Sequence, residues 1–504
     1  MDPQRKILLL ILDGIGVAPK SNGNAVVLAE PSNLARMWDA YPRTYLEASG
    51  ENVGLVKNTS GNSEVGHLTI GSGRTHYQNL FKINNSIKKG QFFFNTTLQN
   101  LLKHSVESKG KIHLMGCLSD GSVHSHIDHF IAVLDFLAHE KFEGEVLIHA
   151  FTDGRDTPQQ IASKFFEKIE QHMENLGIGK IASICGRAYA MDRNDIFERT
   201  EKAYQLILAG EGEMFKTWEE AIKSNYDKGR TDEYIEPCNI LEKNAIKDND
   251  AILFMNFRPD RAIQLAKKLK DSPINNLFFA GMVEYERGFP SQVIFPKEYL
   301  SLPLGRVFSE LGIKQLRIAE SEKFPHVTYF FNGGQPIQYP GEERIKILSP
   351  RVPTYDLKPE MSAYEVFDAL DQAIKSKETY RFITVNIANG DMVGHTGNLD
   401  AGVQAMRIVN DIVGKIAKLA KNFGWTLIIT ADHGNLERMI DPQTNLPNTE
   451  HTQNPVPFLI VDDKLNNNFP NKQLRSGSLS DVAPTILRLM KISTPATMSG
   501  RSLI

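Results

Sequence analysis

The sequence predicts an α/β protein of two domains, one of them discontinuous, and three observations carry that prediction. Short apolar runs rich in Leu, Ile and Val recur along the chain between glycines, as buried parallel strands do. The runs fall into separate series, and the residues just past their ends are Asp, His or Arg. Between them lie segments with apolar residues three and four apart, such as IASKFFEKIEQHMENLG, which has a glycine after its predicted helix.

The first run, KILLLILDG, ends at Asp13. Its apolar stretch, Ile7 to Leu12, is too short for a signal sequence or a membrane span, which needs about 20 apolar residues. A loop, GVAPKSNGNAV, follows, then a predicted helix over Ala29–Trp38 and the glycine-rich NTSGNSEVGHLTIGSGR. From about Leu80 to Leu300 a second series appears: KIHLMGCLSDGSVHSH, EVLIHAFTDGRD, KIASICGRAYAMDR and AILFMNFRPDR. It reads as a second parallel sheet with its own ligand edge. From about Leu304 the chain carries FPHVTYFFNGG, then RFITVNIANGDMVGH, ending at Asp391 with His395 behind it. TLIITADHGN ends at Asp432 and His433, HTQNPVPFLIVDD supplies a last strand, and SDVAPTILRLM a terminal helix with Asp481 near its start.

In open α/β sheets ligands sit outside the carboxyl ends of the strands. Asp13, Asp391 and Asp432 therefore belong to one crevice, although they are far apart in sequence. The predicted domains are 1–78 with 306–504, and an insertion, 79–305. The crossings near 78–82 and 300–306 are candidate hinges, about which an inserted domain can close.

Composition narrows the function classes. A formal charge of −3 over 504 residues leaves no electrostatic footprint for nucleic acid or an anionic membrane. No apolar stretch is long enough to span a bilayer. Cys117, Cys185 and Cys238 lack CxxC spacing and read as reduced thiols of a cytoplasmic protein.

The strand ends carry metal chemistry. Asp391 and His395, four residues apart, join His451 of TEHTQNP as carboxylate and imidazole ligands, which suit Mn²⁺ or Zn²⁺ rather than Ca²⁺. The carboxylate share favours the harder ion, manganese. A second ion takes Asp13, Asp432 and His433. Two ions about 4 Å apart form a clamp for in-line phosphoryl displacement. Ser63, in SGNSEVGH, is a poor nucleophile unless a base or metal holds it as an alkoxide. Ser63 followed by Glu64 also reads as a helix N-cap. Both readings stand together, since a helix N-terminus favours a nearby phosphate.

LDGIGV, NTSGNSEVGH, LSDGSVHSH, TDGRDT, GRAYAMDR, NFRPDRA, EKFPHVT, NGDMVGHTG, TADHGN and EHTQNPVP occur in this order from about Ile7 to the terminal helix. This order resembles that of the 2,3-bisphosphoglycerate-independent phosphoglycerate mutases. The resemblance implies an alkaline-phosphatase-like core with an inserted α/β transferase domain. It implies interconversion of 3- and 2-phosphoglycerate through a phosphoserine on Ser63, with two divalent ions, manganese by our reading, in a monomer. By the same resemblance one ion takes Asp391, His395 and His451, and the other Asp13, Ser63, Asp432 and His433. Substrate residues match His124, Arg155, Asp156, Arg187, Arg193, Arg258, Arg261 and Lys323, with Asp156 as acid and base. Arginine forks suit a phosphorylated hydroxy acid, binding its carboxylate and phosphate in bidentate fashion. Asp156 before Pro158 also reads as a helix start. A plain metal-dependent phosphatase and a non-catalytic phosphoglycerate sensor are the alternatives on the same fold. Two positions depart from the family pattern: Ser122 stands where a second glycine is usual and is strained if φ is positive there, and Phe197 replaces a common tryptophan.

Overall fold

A computed structural model describes residues 5–242, 244–296, 302–466, 469 and 471–504. The chain is α/β and forms two compact units, 1–78 with 299–504, and 79–298. Of the crossing expected at 300–306, residues 300 and 301 lie outside the described residues.

In the discontinuous unit one sheet runs Glu342–Ile347, Gln315–Glu320, Phe382–Ile387, Lys6–Leu12, Trp425–Thr430, Val456–Val461, Arg43–Glu47 and Gly477–Ser478. The first five are mutually parallel. Lys6–Leu12 lies between Phe382–Ile387 and Trp425–Thr430, and every residue from Ile7 to Leu12 is fully buried. A strand covered on both faces can be apolar throughout, which is why it reads as a continuous run rather than an alternating one. Its register pairs Leu12 with Ile387 and Ile11 with Thr430, so the chain leaves all three strands at one edge. The helix Leu399–Asn422 packs on the sheet through Met406, Val409, Val413 and Ile416.

Two sequence expectations change here. In place of one helix over Ala29–Trp38 there are two, Ala25–Leu28 and Ser32–Ala40. Glu30 at φ 51° followed by Pro31 breaks the run. Asp391 is not on a strand: the strand stops at Ile387, and Asp391 lies in the first turn of a short helix, Asn389–Gly394.

The inserted unit has its own sheet, in the order Gln292–Phe295, Phe278–Val283, Ala251–Phe254, Ile112–Cys117, Val146–Thr152, Lys180–Gly186, Cys238–Asn239 and Glu213–Met214. The first six are parallel. The predicted helix is observed at Ala162–Leu176, closed by Gly177 at φ 66°. All three cysteines are free and buried. Ser122 adopts φ 61°, the left-handed backbone that a glycine would accept without strain. Phe197 opens a helix and is exposed. No helix among the described residues is long and apolar enough to cross a membrane.

Glu320 closes the strand Gln315–Glu320 and is buried, with one carboxyl oxygen accepting from the Ser362 amide (3.0 Å). Burial, helped by Glu365 and Glu322, pushes its pKa from 4.5 up to about 7. A folded-state value above the unfolded one means stability is fully present below pH 4.5 and is lost as pH rises through 7. Glu320→Gln removes that loss. Urea unfolding should show the variant gaining on the wild type between pH 5 and pH 8 by up to about 3 kcal/mol; parallel pH curves for the two proteins would sink the assignment.

Candidate functional site

Asp13 and Asp432 follow neighbouring strands at one edge of the sheet, and the short helix Asn389–Gly394, which follows a third strand at that edge, brings Asp391 to them. Close backbone contact is built in. Gly14 sits at φ 74°, where a Cβ would fall 2.6 Å from the Asp391 main chain, and a Cβ on Gly66 would fall 2.7 Å from Asp432 Cβ. Ser63 is the first residue of the helix Ser63–Ser72. It is not the cap: the Asn62 side chain accepts from the Val65 amide and takes that role. Ser63 Oγ is thereby left free of capping. It lies 2.7 Å from Lys323 Nζ, 2.9 Å from His433 Nε2 and 3.2 Å from Asp13 Oδ1. Lys323 Nζ also contacts Asp13 Oδ1 (2.7 Å) and Asp391 Oδ2 (2.5 Å). Lys323, assigned to substrate on sequence grounds, thus stands among the carboxylates.

The imidazoles share one pattern. Nδ1 of His395 faces the Thr449 carbonyl (2.8 Å), that of His451 the Gly61 carbonyl (2.9 Å), and that of His433 the Gly434 carbonyl (3.3 Å). A carbonyl only accepts, so each Nδ1 carries hydrogen and each neutral Nε2 presents a lone pair. His451 Nε2 then meets His395 Nε2 at 3.0 Å and Asp391 Oδ1 at 3.0 Å. Three acceptors converge with no hydrogen among them unless a proton or a cation enters. Asp432 Oδ2, fully buried, lies 3.2 Å from His67 Nδ1 and 3.5 Å from His433 Nε2. Ligating histidines commonly have their second nitrogen anchored in this manner. The donor set fits a divalent ion. Three groups bring their ligand atoms within 4.8 Å of one another: Asp391, His395 and His451; Asp13, Asp391 and His433; and Asp13, His67 and Asp432.

The charges agree. Burial, then the neighbouring Asp432, raises the Asp13 pKa, while Lys323 opposes them. Burial would also raise Asp391, but Lys323, His395 and His451 outweigh it and hold the carboxyl well below the usual range. The bond to Asp391 raises His395; in His451 burial works the other way but Asp391 prevails.

In the inserted unit Arg187, almost wholly buried, extends one Nη1 to Asp153 Oδ1 (2.6 Å) and Asp156 Oδ2 (2.5 Å). His124 Nε2 is 3.7 Å from Asp156 Oδ2. Asp260 contacts Arg193 Nη1 (3.2 Å) and Arg258 Nε (3.1 Å). Arg261 donates to the Met191 carbonyl, and Arg155 pairs with Glu233 across 3.3 Å. Asp156 does not cap a helix, since the next one starts at Ala162. Burial and the crowding of Arg187, Arg193 and Arg155 lower the pKa of Arg261. A surplus of guanidinium charge is what an anionic ligand would relieve.

Sequence reasoning did not single out Asp153, Asp260, His67 or Asn386. Asp153 and Asp260 lie inside quoted motifs, TDGRDT and NFRPDRA, next to residues chosen for their charge. His67, four residues after Ser63 on one helix, carried an i,i+4 signal that went unused.

The BPG-independent PGAM N-terminus (iPGM_N) family matches residues 83–287. The 2,3-bisphosphoglycerate-independent phosphoglycerate mutase of Moorella thermoacetica is 44% identical, over 99% of this chain and 98% of that one. The protein of the same name from Clostridioides difficile is 45% identical, over 99% of both chains. Among solved structures, Leishmania mexicana phosphoglycerate mutase at low cobalt concentration is 28% identical, with a TM-score of 0.59, over 100% of this chain and 98% of that one.

Proposed function

The chain belongs to the 2,3-bisphosphoglycerate-independent phosphoglycerate mutases, isomerases that interconvert 3- and 2-phosphoglycerate, and from that premise we propose that Ser63 is the nucleophile that carries the phosphoryl group between the two hydroxyls. The observation that carries this reading is the Ser63 hydroxyl, free of capping, within 2.9 Å of both an ammonium and an imidazole lone pair. Lys323 donates to Oγ and stabilises it as an alkoxide. Burial opposes charge on Lys323, but Asp13, Asp391 and Asp432 outweigh it and keep the ammonium charged.

Asp391, His395 and His451 would hold one divalent ion, and Asp13, Ser63, Asp432 and His433 the other. Bound there, two Mn²⁺ would supply Lewis acidity and neutralise charge on the phosphoryl oxygens. Ser63 Oγ attacks phosphorus in line, the bond to the glycerate oxygen breaks, and Asp156 delivers a proton to that oxygen. Arg258, Arg261 and Lys323 neutralise the phosphate. Arg187, Arg193, Arg155 and His124 keep the glycerate bound while it reorients. Asp156, now a carboxylate, takes the proton of the other hydroxyl, which attacks the phosphoserine and frees Ser63. The discontinuous domain, 1–78 with 306–504, serves as the phosphatase half and 79–305 as the transferase half, in a monomeric cytoplasmic enzyme.

Purified protein mixed with 3-phosphoglycerate and Mn²⁺, without 2,3-bisphosphoglycerate, should yield 2-phosphoglycerate and no inorganic phosphate by ³¹P NMR. Inorganic phosphate alone would make it a phosphatase; no change would leave a sensor.

Metal removal has a signed pH dependence. Raised pKa values at His395 and His451 mean that protons compete for Nε2 from above the ordinary value of 6.5, so acid favours the metal-free form. Chelation should abolish turnover, Mn²⁺ should restore it, and the Mn²⁺ concentration needed should climb as pH falls from 8 to 6. A requirement that stays flat over that range would refute this ligand set.

A further inference from the structure

Beneath Ser63 lies a polar pair that the proposed reaction does not use. His67 and Asn386 are fully buried, His67 on the helix Ser63–Ser72 and Asn386 on the strand Phe382–Ile387. Asn386 Nδ2 donates to Asp13 Oδ2 (2.7 Å) and stands 3.0 Å from His67 Nε2. A carboxylate only accepts, so the nitrogen of this amide must face Asp13, and its second hydrogen then faces His67 Nε2. That ring nitrogen is therefore the acceptor, and the hydrogen sits on Nδ1, which faces the Ser63 carbonyl (2.9 Å) and Asp432 Oδ2 (3.2 Å). Asp13 is thus tied through two hydrogen bonds and a rigid ring to the main chain of Ser63.

We infer that His67 and Asn386 are positioning residues, a buried strut that holds the Ser63 main chain and the Asp13 carboxylate at a fixed separation; this rests on the proposed roles of Ser63 and Asp13. Neither residue touches the Ser63 hydroxyl in the contacts above, so the strut acts through what it holds. Both Asn386 hydrogens are spent on it, and its Oδ1 has no partner among the described residues, so the amide is placed for donation rather than for packing. Supporting groups of this kind typically change metal affinity or activity 10- to 100-fold.

The test is Mn²⁺ titration of metal-free protein by calorimetry, alongside steady-state kinetics. His67→Phe keeps a flat ring without donor or acceptor. It should weaken one of the two Mn²⁺ sites about 10- to 100-fold and lower kcat to match, with KM for 3-phosphoglycerate unchanged. His67→Asn keeps an amide hydrogen near the Nδ1 position and should recover to within about threefold of wild type. Asn386→Ala should repeat the His67→Phe effect, and the double variant should be no worse than either, because both break one strut. If His67→Phe does not fold, His67→Asn and Asn386→Ala carry the test. Wild-type Mn²⁺ affinity and kcat in these variants, with only a lower melting temperature, would overturn the inference and leave the proposed reaction standing. Failure of the wild type to bind two Mn²⁺ would bring down both.

Discussion

Ser63→Ala is expected to lower mutase turnover by on the order of 10⁴-fold or more, because both half-reactions pass through one oxygen. The loss should not come from unfolding. Asn62 caps the helix, so alanine at its first position removes no capping bond and has the better helix propensity. What disappears is the Oγ shared by Lys323, His433 and Asp13. Lys323 keeps its contacts to Asp13 and Asp391, so the charge balance of the site survives. The variant should therefore bind Mn²⁺ through its remaining ligands yet take up no ³²P from labelled 3-phosphoglycerate. Intact-mass and label measurements on acid-quenched protein check this. Label on the alanine variant, or turnover within tenfold of wild type, would assign the nucleophile to another group.

The same residues mark how far the sequence could be read. Strands buried on both faces are apolar at most positions, so Ile7–Leu12, Phe382–Ile387 and Trp425–Thr430 announce themselves, and with them the α/β class. Residues just past such runs inherit a location, which is why Asp13 and Asp432 are legible. Asp391 is legible as a residue but not in its element, because NGDMVGH is too short to show a helical period. The break at Glu30 and Pro31 interrupts a pattern that otherwise continues in period. Groups that work by holding other groups are the least visible. Asn386 alternates into a central strand like any tolerated polar residue, and its use depends on Asp13, hundreds of positions away. Asp153 is read as one more charge in TDGRDT until its oxygens are seen to accept from Ser119 Oγ, the Asp156 amide and Arg187. Spacing along a chain reports periodic contacts well and contacts across a sheet poorly, since register is set by the whole fold.

Asp156→Asn is the counterpart in the inserted unit, with an expected loss in mutase rate of about 10²- to 10⁴-fold at little cost in stability. Asparagine has the same shape, and Arg187 retains Asp153 at 2.6 Å, so no buried guanidinium is left without a carboxylate. Asp153→Asn should behave in the opposite sense. Asp153 is buried, accepts from Ser119, the Asp156 amide and Arg187, and its pKa is lowered because those bonds outweigh burial. Neutralising it removes the better shielded partner of Arg187, for which a loss of roughly 3 kcal/mol or more is the usual consequence of breaking a buried pair. Chemical unfolding and single-turnover kinetics on the two variants separate the roles: slow chemistry with a near-normal midpoint for Asp156→Asn, a lowered midpoint for Asp153→Asn. His124, 3.7 Å from Asp156, is the only imidazole near enough among the described residues to replace it. Burial, then the Arg187 charge, lowers its pKa to about 4, so at neutral pH it is a neutral imidazole and lacks the imidazolium proton a general acid would give. If Asp156→Asn keeps its rate within tenfold of wild type, Asp156 is not the acid and base of the reaction.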